Sequence, residues 1–133
     1  MTIITVNGKI KGKARPRVTR KGITYTPADS VSYENWIRFC YQEQGGEMLQ
    51  GSIKAKIVAY YKIPKSYSKK RIQNIQGGLE YPCKKPDSDN IAKIVLDSLN
   101  KIAYDDDAQV VELKVLKRWT EDMERIEIKL EEI

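Results

Sequence analysis

Histidine is absent from the 133 residues. This excludes every Ser-His-Asp or Cys-His nucleophile and any histidine general base. A metal site would have to be built from oxygen ligands, which favours a hard cation such as Mg²⁺. Cysteine is nearly absent too. Cys40 and Cys83 are too few for a disulfide framework or a four-ligand zinc site. They read as reduced thiols of a cytoplasmic protein. Long apolar runs are missing: the longest is Ile57-Val58-Ala59-Tyr60-Tyr61, against about 18 residues for a membrane span. Met1–Val6 lacks the charged region and small-residue cleavage site of a secretory signal. No internal repeat or low-complexity linker divides the chain, so one domain over residues 1–133 is expected, with no membrane partner.

Charge is present in quantity and unevenly placed. The net charge is +6. Residues 1–86 carry 17 Lys/Arg against 5 Asp/Glu, a net +12; residues 87–133 carry 7 against 13, a net −6. Such a division suits a polyanion held near a group of carboxylates, although a fold that mixes the two signs on its surface would look the same.

Periodicity supplies the elements. Residues 2–6 read as a strand reaching toward Ile10. Gly12, Pro16 and Gly22 then punctuate a basic loop or hairpin. Thr26-Pro27-Ala28-Asp29 opens a helix over about 27–44, ended by Gly45-Gly46. Residues 52–63 alternate cleanly as a strand with one buried face. Ser66 or Ser68 starts a short basic helix through Gln76, residues 81–86 form a loop, and a helix covers about 88–102. Strands over about 109–118 and 124–131 complete the order β-α-β-α-α-β-β. The fold class is α+β, a small mixed sheet with helices packed on it.

The acidic half has a pattern of its own. On a helix over 88–102, Ile91, Ile94, Val95, Ser98, Leu99 and Ile102 share the face toward the sheet, with Asp89, Lys93 and Asp97 opposite. Asp87 and Asp89 stand where a loop enters this helix, and Asp105-Asp106-Asp107 follow its far end. Each feature has an ordinary structural explanation: a cap, an i,i+4 ion pair, a solvated turn. A calcium loop is a poor fit, because Asp87-Ser88-Asp89-Asn90 lacks the glycine and distal glutamate of an EF-hand. A helix of that length would hold the two aspartate groups about 22 Å apart. They meet only if the next strand runs back along the helix and carries Asp107 with it.

The stretch Lys85-Pro86-Asp87-Ser88-Asp89-Asn90, with Lys93, Asp97-Ser98-Leu99-Asn100 and Asp106-Asp107-Ala108-Gln109-Val110, resembles the RusA-type Holliday-junction resolvases common in prophages. Gly12-Lys13-Ala14-Arg15-Pro16-Arg17 and Tyr25-Thr26-Pro27 are similar to phage members of that family. The resemblance implies a homodimeric, Mg²⁺-dependent endonuclease that cuts four-way DNA junctions in symmetrical pairs during recombination and repair. It puts the metal carboxylates on Asp87, Asp89 and Asp107 and an essential lysine on Lys93. Asp106 is a weaker candidate, and Asp105 falls where the motif varies.

Given that family, the basic segments become DNA contacts: Lys13, Arg15, Arg17 and Arg20 in the N-terminal loop, Lys69, Lys70 and Arg71 at the start of the short helix, and Lys84 and Lys85 before the aspartates. Paired cuts need two sites, so a symmetric dimer is expected. Ala92, Leu96, Leu99 and Ala103 form a second apolar stripe that could face the partner or be covered within the chain. The competing readings are a non-catalytic nucleic-acid-binding protein and a metal nuclease acting on flaps or duplex DNA.

Overall fold

The computed structural model describes residues 1–13, 17–25 and 28–133, and only the backbone of Arg17, Tyr25 and Asp29. The expected helix start at Thr26-Pro27, and Arg15, lie outside the described residues. In chain order the elements are β1 (Thr2–Asn7), β2 (Arg17–Val18), β3 (Thr24–Tyr25), α1 (Ala28–Glu43), β4 (Ile53–Lys62), α2 (Lys69–Gln76), α3 (Ser88–Ser98), a single 3₁₀ turn (Asp107–Gln109), β5 (Val110–Thr120) and β6 (Arg125–Glu132).

Four strands form one mixed sheet in the order β1-β6-β4-β5. β6 is antiparallel to both β1 and β4, whereas β4 and β5 run parallel, joined through α2 and α3. β2 and β3 make a separate small hairpin. The alternation along β4 becomes burial: Ile53, Ala55, Ile57, Ala59 and Tyr61 are buried, with lysines between them at 54, 56 and 62. The register aligns Ile4, Ile128, Ile57 and Val115 in one row across all four strands. α1 and α3 cover this apolar face, and α3 contributes Ile91, Ile94, Val95 and, just past its end, Leu99. Burying each such side chain is worth about 1.5–3 kcal/mol. The fold is therefore the α+β arrangement with a mixed sheet that the patterning led one to expect.

α3 ends four residues before its expected limit of 102. Leu99 caps it, and Lys101 takes a positive φ of 69°. The Lys101 N–H donates to the Tyr104 carbonyl at 2.7 Å, and the Tyr104 hydroxyl donates back to the Leu96 carbonyl at 2.6 Å. The apolar residues that seemed to prolong the helix serve this buried turn instead. Leu99, Ala103 and Tyr104 are fully buried within the chain, as is nearly all of Ala92. Most of the apolar stripe considered for a partner is thus covered by the chain itself, leaving Leu96 half-buried.

The helices also hold the strands by side chains. Gln44, just after α1, accepts from the Thr5 N–H at 2.8 Å and donates to the Thr5 carbonyl at 2.6 Å. The Trp36 indole donates to the Asn7 carbonyl at 2.8 Å. Arg38 donates to the Ser98 carbonyl at 2.9 Å, satisfying one of the orphan acceptors at the end of α3.

Candidate active site

The basic N-terminal segment lies directly on α3. The Lys13 N–H donates to the Asn90 carbonyl at 3.1 Å. A Cβ on Gly12 would stand 2.7 Å from the Pro86 Cβ and 2.9 Å from the Asn90 Cβ, so only glycine permits this approach. The Lys13 side chain, only 16% exposed, contacts Glu34 of α1 and reaches Asp97 at 3.7 Å. It is held in an ion-pair network, unlike the Arg20 side chain, which is exposed in the β2–β3 turn.

Asp87 is the N-cap residue of α3, although its side chain makes no capping hydrogen bond. Its carboxylate instead accepts from the Lys85 ammonium at 2.9 Å. Lys85, with Lys117 of β5 further off, holds the Asp87 carboxyl below the usual carboxylate range. Lys117 also donates to the Lys84 carbonyl, and the Tyr61 hydroxyl donates to the Pro86 carbonyl at 3.4 Å. This fixes the loop that delivers the aspartate. Asp89 follows in the first turn of α3 and is exposed. Lys93 is also exposed, and its ammonium lies 3.5 Å from Asp97.

Asp107 is held at the opposite end of α3. Its N–H donates to the Asn100 side-chain oxygen at 2.8 Å. Asp106 caps the 3₁₀ turn, its carboxylate accepting from the Ala108 N–H. One Gln109 oxygen accepts from the Asp105 and Asp106 N–H groups at 2.9 and 3.1 Å, and its amide donates to the Gly51 carbonyl at 3.1 Å. This reciprocal capping by Asp106 and Gln109 leaves the Asp107 carboxylate without a capping duty in this turn. Burial, together with Asp106 and Asp97, pushes its carboxyl above the usual range. Asp105 points toward Lys101 at 3.6 Å.

α3 has 11 residues, so it separates its two ends by about 16 Å. β5 does run back alongside α3, yet it starts beside Asp97 and carries Lys117, not Asp107, to Asp87. Asp87 and Asp89 thus stand at one end, and Asp107 with Asp97 at the other. Among the described residues, no three His, Cys, Asp or Glu side chains gather closely enough to hold a metal ion. The donor chemistry, all carboxylate and amide oxygen, is of the kind that Mg²⁺ takes, and within one chain Asp87 and Asp89 do not meet Asp107.

Of the basic residues, Lys69 and Lys70 open α2, whose first turn contains no acidic residue, and both are exposed. Arg71 pairs with Glu80 at 2.9 Å and stacks on the Tyr67 ring. Lys84 and Lys85 are exposed beside Asp87. Sequence reasoning missed Asn100, Gln109 and Lys117 as residues that shape the site. The spacing Asp106-x-x-Gln109 is a capping-box signature and could have revealed Gln109.

Residues 7–131 match the model of the family described as Endodeoxyribonuclease RusA. The chain is also 35% identical over 135 residues to the uncharacterized protein YqaN of Bacillus subtilis (strain 168), an alignment that covers 97% of this chain and 94% of that protein. With its motif carboxylates at the two ends of α3, the chain belongs to the RusA endodeoxyribonuclease family.

Proposed function

We propose that the protein is a Mg²⁺-dependent endonuclease that resolves four-way DNA junctions by paired cuts, serving recombination and repair, and that it works as a homodimer. The observation that carries this reading is the separation of the aspartates. A second copy whose α3 runs in the opposite direction would bring Asp87 and Asp89 of one chain to the partner's Asp107. A two-fold axis makes two such sites, the number that symmetrical resolution requires.

In each composite site Asp87, Asp89 and Asp107 would hold the ion. Bound there, Mg²⁺ supplies charge neutralisation at the phosphate and a water of lowered pKa. Lys93, exposed on the same face as Asp89, would contact the phosphate undergoing cleavage. Lys69, Lys70, Lys84, Lys85, Arg20 and the N-terminal arginines would hold the DNA arms through phosphates, giving affinity without sequence readout. Lys13 would act differently: its contacts with Glu34 and Asp97 anchor the basic segment to α3.

Complementation tests the composite site. Asp89→Asn and Asp107→Asn should each lose at least about a hundredfold in cleavage, more than loss of an outer-shell partner costs, while binding junctions in EDTA as well as wild type. Mixed and allowed to exchange subunits, the two inactive proteins should regain single-strand nicking, because one of the two sites in a heterodimer is then intact. Failure of the mixture to nick, with heterodimers present, would place each site within one chain. Equal cleavage of four-way, flap and linear DNA by wild type with Mg²⁺ would overturn the junction specificity.

A further inference from the structure

A cavity of about 400 Å³ opens beside the loop that delivers Asp87. Tyr67, Arg71, Leu79, Tyr81, Lys84 and Trp119 are among the residues that line it. Its volume lies within the usual range for small-ligand sites, about 300–1,000 Å³. Three features set it apart from an ordinary surface recess. Its aromatic side chains are arranged for contact: Tyr67 and Trp119 meet edge to face with centroids 5.9 Å apart. Two large apolar side chains stand in solvent at its mouth, Tyr81 at 56% and Leu79 at 79% exposure. Cations surround it. Arg118 lies over the Tyr81 ring at 4.8 Å and Arg71 over the Tyr67 ring at 3.7 Å. Lys84 forms a lip three residues before Asp87. Glu80 also lines the cavity, but its carboxylate is occupied by Arg71.

Aromatic rings with guanidinium groups lying over them, beside the Lys84 lip, match a ligand that carries a π-face on each unit of an anionic backbone. We infer that this cavity takes one unstacked nucleobase from the DNA strand next to the phosphate being cut. The inference rests on the nuclease reading above and deepens it. Extracting a base from an intact duplex costs unstacking and unpairing, whereas a base at a branch point has already lost part of that stabilisation. A site that demands such a base close to Asp87 therefore favours branched over linear DNA. Tyr81 is the specificity-determining residue, because it is the most exposed ring of the cavity and also borders the adjoining recess of about 520 Å³.

The experiment uses the full chain in EDTA, with a four-way junction carrying 2-aminopurine at the crossover and a duplex of the same sequence. Wild type should change the 2-aminopurine emission of the junction and not of the duplex. Tyr81→Ala should lose that change and bind the junction at least about fivefold more weakly, the low end for losing a stacking partner, with duplex affinity altered less than twofold. Tyr81→Phe should restore both. Equal effects of Tyr81→Ala on junction and duplex, or no effect on either, would overturn the inference.

A second arm separates it from the nuclease reading. Trp36→Phe leaves Trp119 as the only tryptophan, and a short oligothymidylate should quench its emission unless Tyr81 is alanine. Quenching in a protein that neither binds nor cuts junctions would sustain the base site and sink the resolvase reading. Junction cleavage with no quenching and no 2-aminopurine response would do the reverse.

Discussion

At the N-terminal end of α3, the Asp87 side chain is 52% exposed, compensated by a lysine that is itself 84% exposed, and its carboxyl is held below its ordinary pKa. At the C-terminal end, Asp107 sits in a turn whose backbone donors are all assigned, beside two further carboxylates, and is held above its ordinary pKa. The first end is exposed and charge-satisfied. The second is enclosed and charge-frustrated. The second end is therefore the one whose unmet electrostatics a cation or an added positive side chain would relieve.

The largest difference should appear when the supports are removed. Gln109→Ala frees three backbone groups around Asp107 and should lower cleavage about 10- to 100-fold, the usual cost of losing a residue that orients a metal ligand. Lys85→Ala removes an exposed partner of Asp87 along with one phosphate contact, and with protein in saturating excess it should change the cleavage rate less than about threefold, since exposed pairs contribute little. Single-turnover cleavage of a junction measures both. Similar losses would erase the contrast between an enclosed and an exposed end.

A smaller effect should come from the segment that touches both ends. Gly12→Ala forces a Cβ against Pro86 and Asn90 and should cost about 1–3 kcal/mol of stability, as overpacking does. It should also detach Lys13 from Asp97, and denaturant unfolding together with the salt dependence of junction binding would report the two consequences. Unchanged stability would mean that the loop shifts away from α3 without penalty.

The smallest effect is a matter of sign. In metal-free buffer, Asp107 is destabilising once ionised, because its folded pKa lies above the unfolded one. Asp107→Asn should therefore raise Tm at neutral pH by about 1–2 °C, and the gain should fade as pH falls through the titration of Asp107. Asp87 runs the other way: its contribution is present above the unfolded carboxylate pKa and is lost as pH falls through the depressed one. Asp87→Asn should thus leave Tm unchanged or slightly lower at neutral pH. Thermal melts at pH 4 and pH 7 distinguish the two.

Much of the fold was legible because its signals are local. Strict alternation over residues 52–63 marked β4, and Ser68, one of two serines that could start the short helix, caps α2, accepting from the Arg71 N–H at 3.2 Å. Where the sequence misled, distant partners decided. Leu99, Ile102 and Ala103 continue a helical period, yet the buried Tyr104 hydroxyl and the Leu49 N–H, which donates to the Ala103 carbonyl, draw them into a turn. Lys13 looked like one more surface cation in a basic run. Only the packing of α1 against α3 brings Glu34 and Asp97 to it. Lys93 lies four residues from both Asp89 and Asp97, and the structure turns it toward Asp97. The motif residues and their places at the two ends of the helix were readable, but whether Asp107 would be carried back to Asp87 depends on where the chain turns after residue 98, which no local pattern encodes.

The clamp that α1 places on β1 has a consequence for how the molecule can grow. Thr5 offers both of its outward backbone groups to Gln44, and the Asn7 carbonyl is occupied by Trp36. A strand arriving from another chain would find the Thr5–Asn7 part of that border already hydrogen-bonded by side chains. The opposite border, along β5, is the end of the sheet's strand order. Extension of the sheet, whether by a misfolded copy or by an added peptide, is thereby directed to one side.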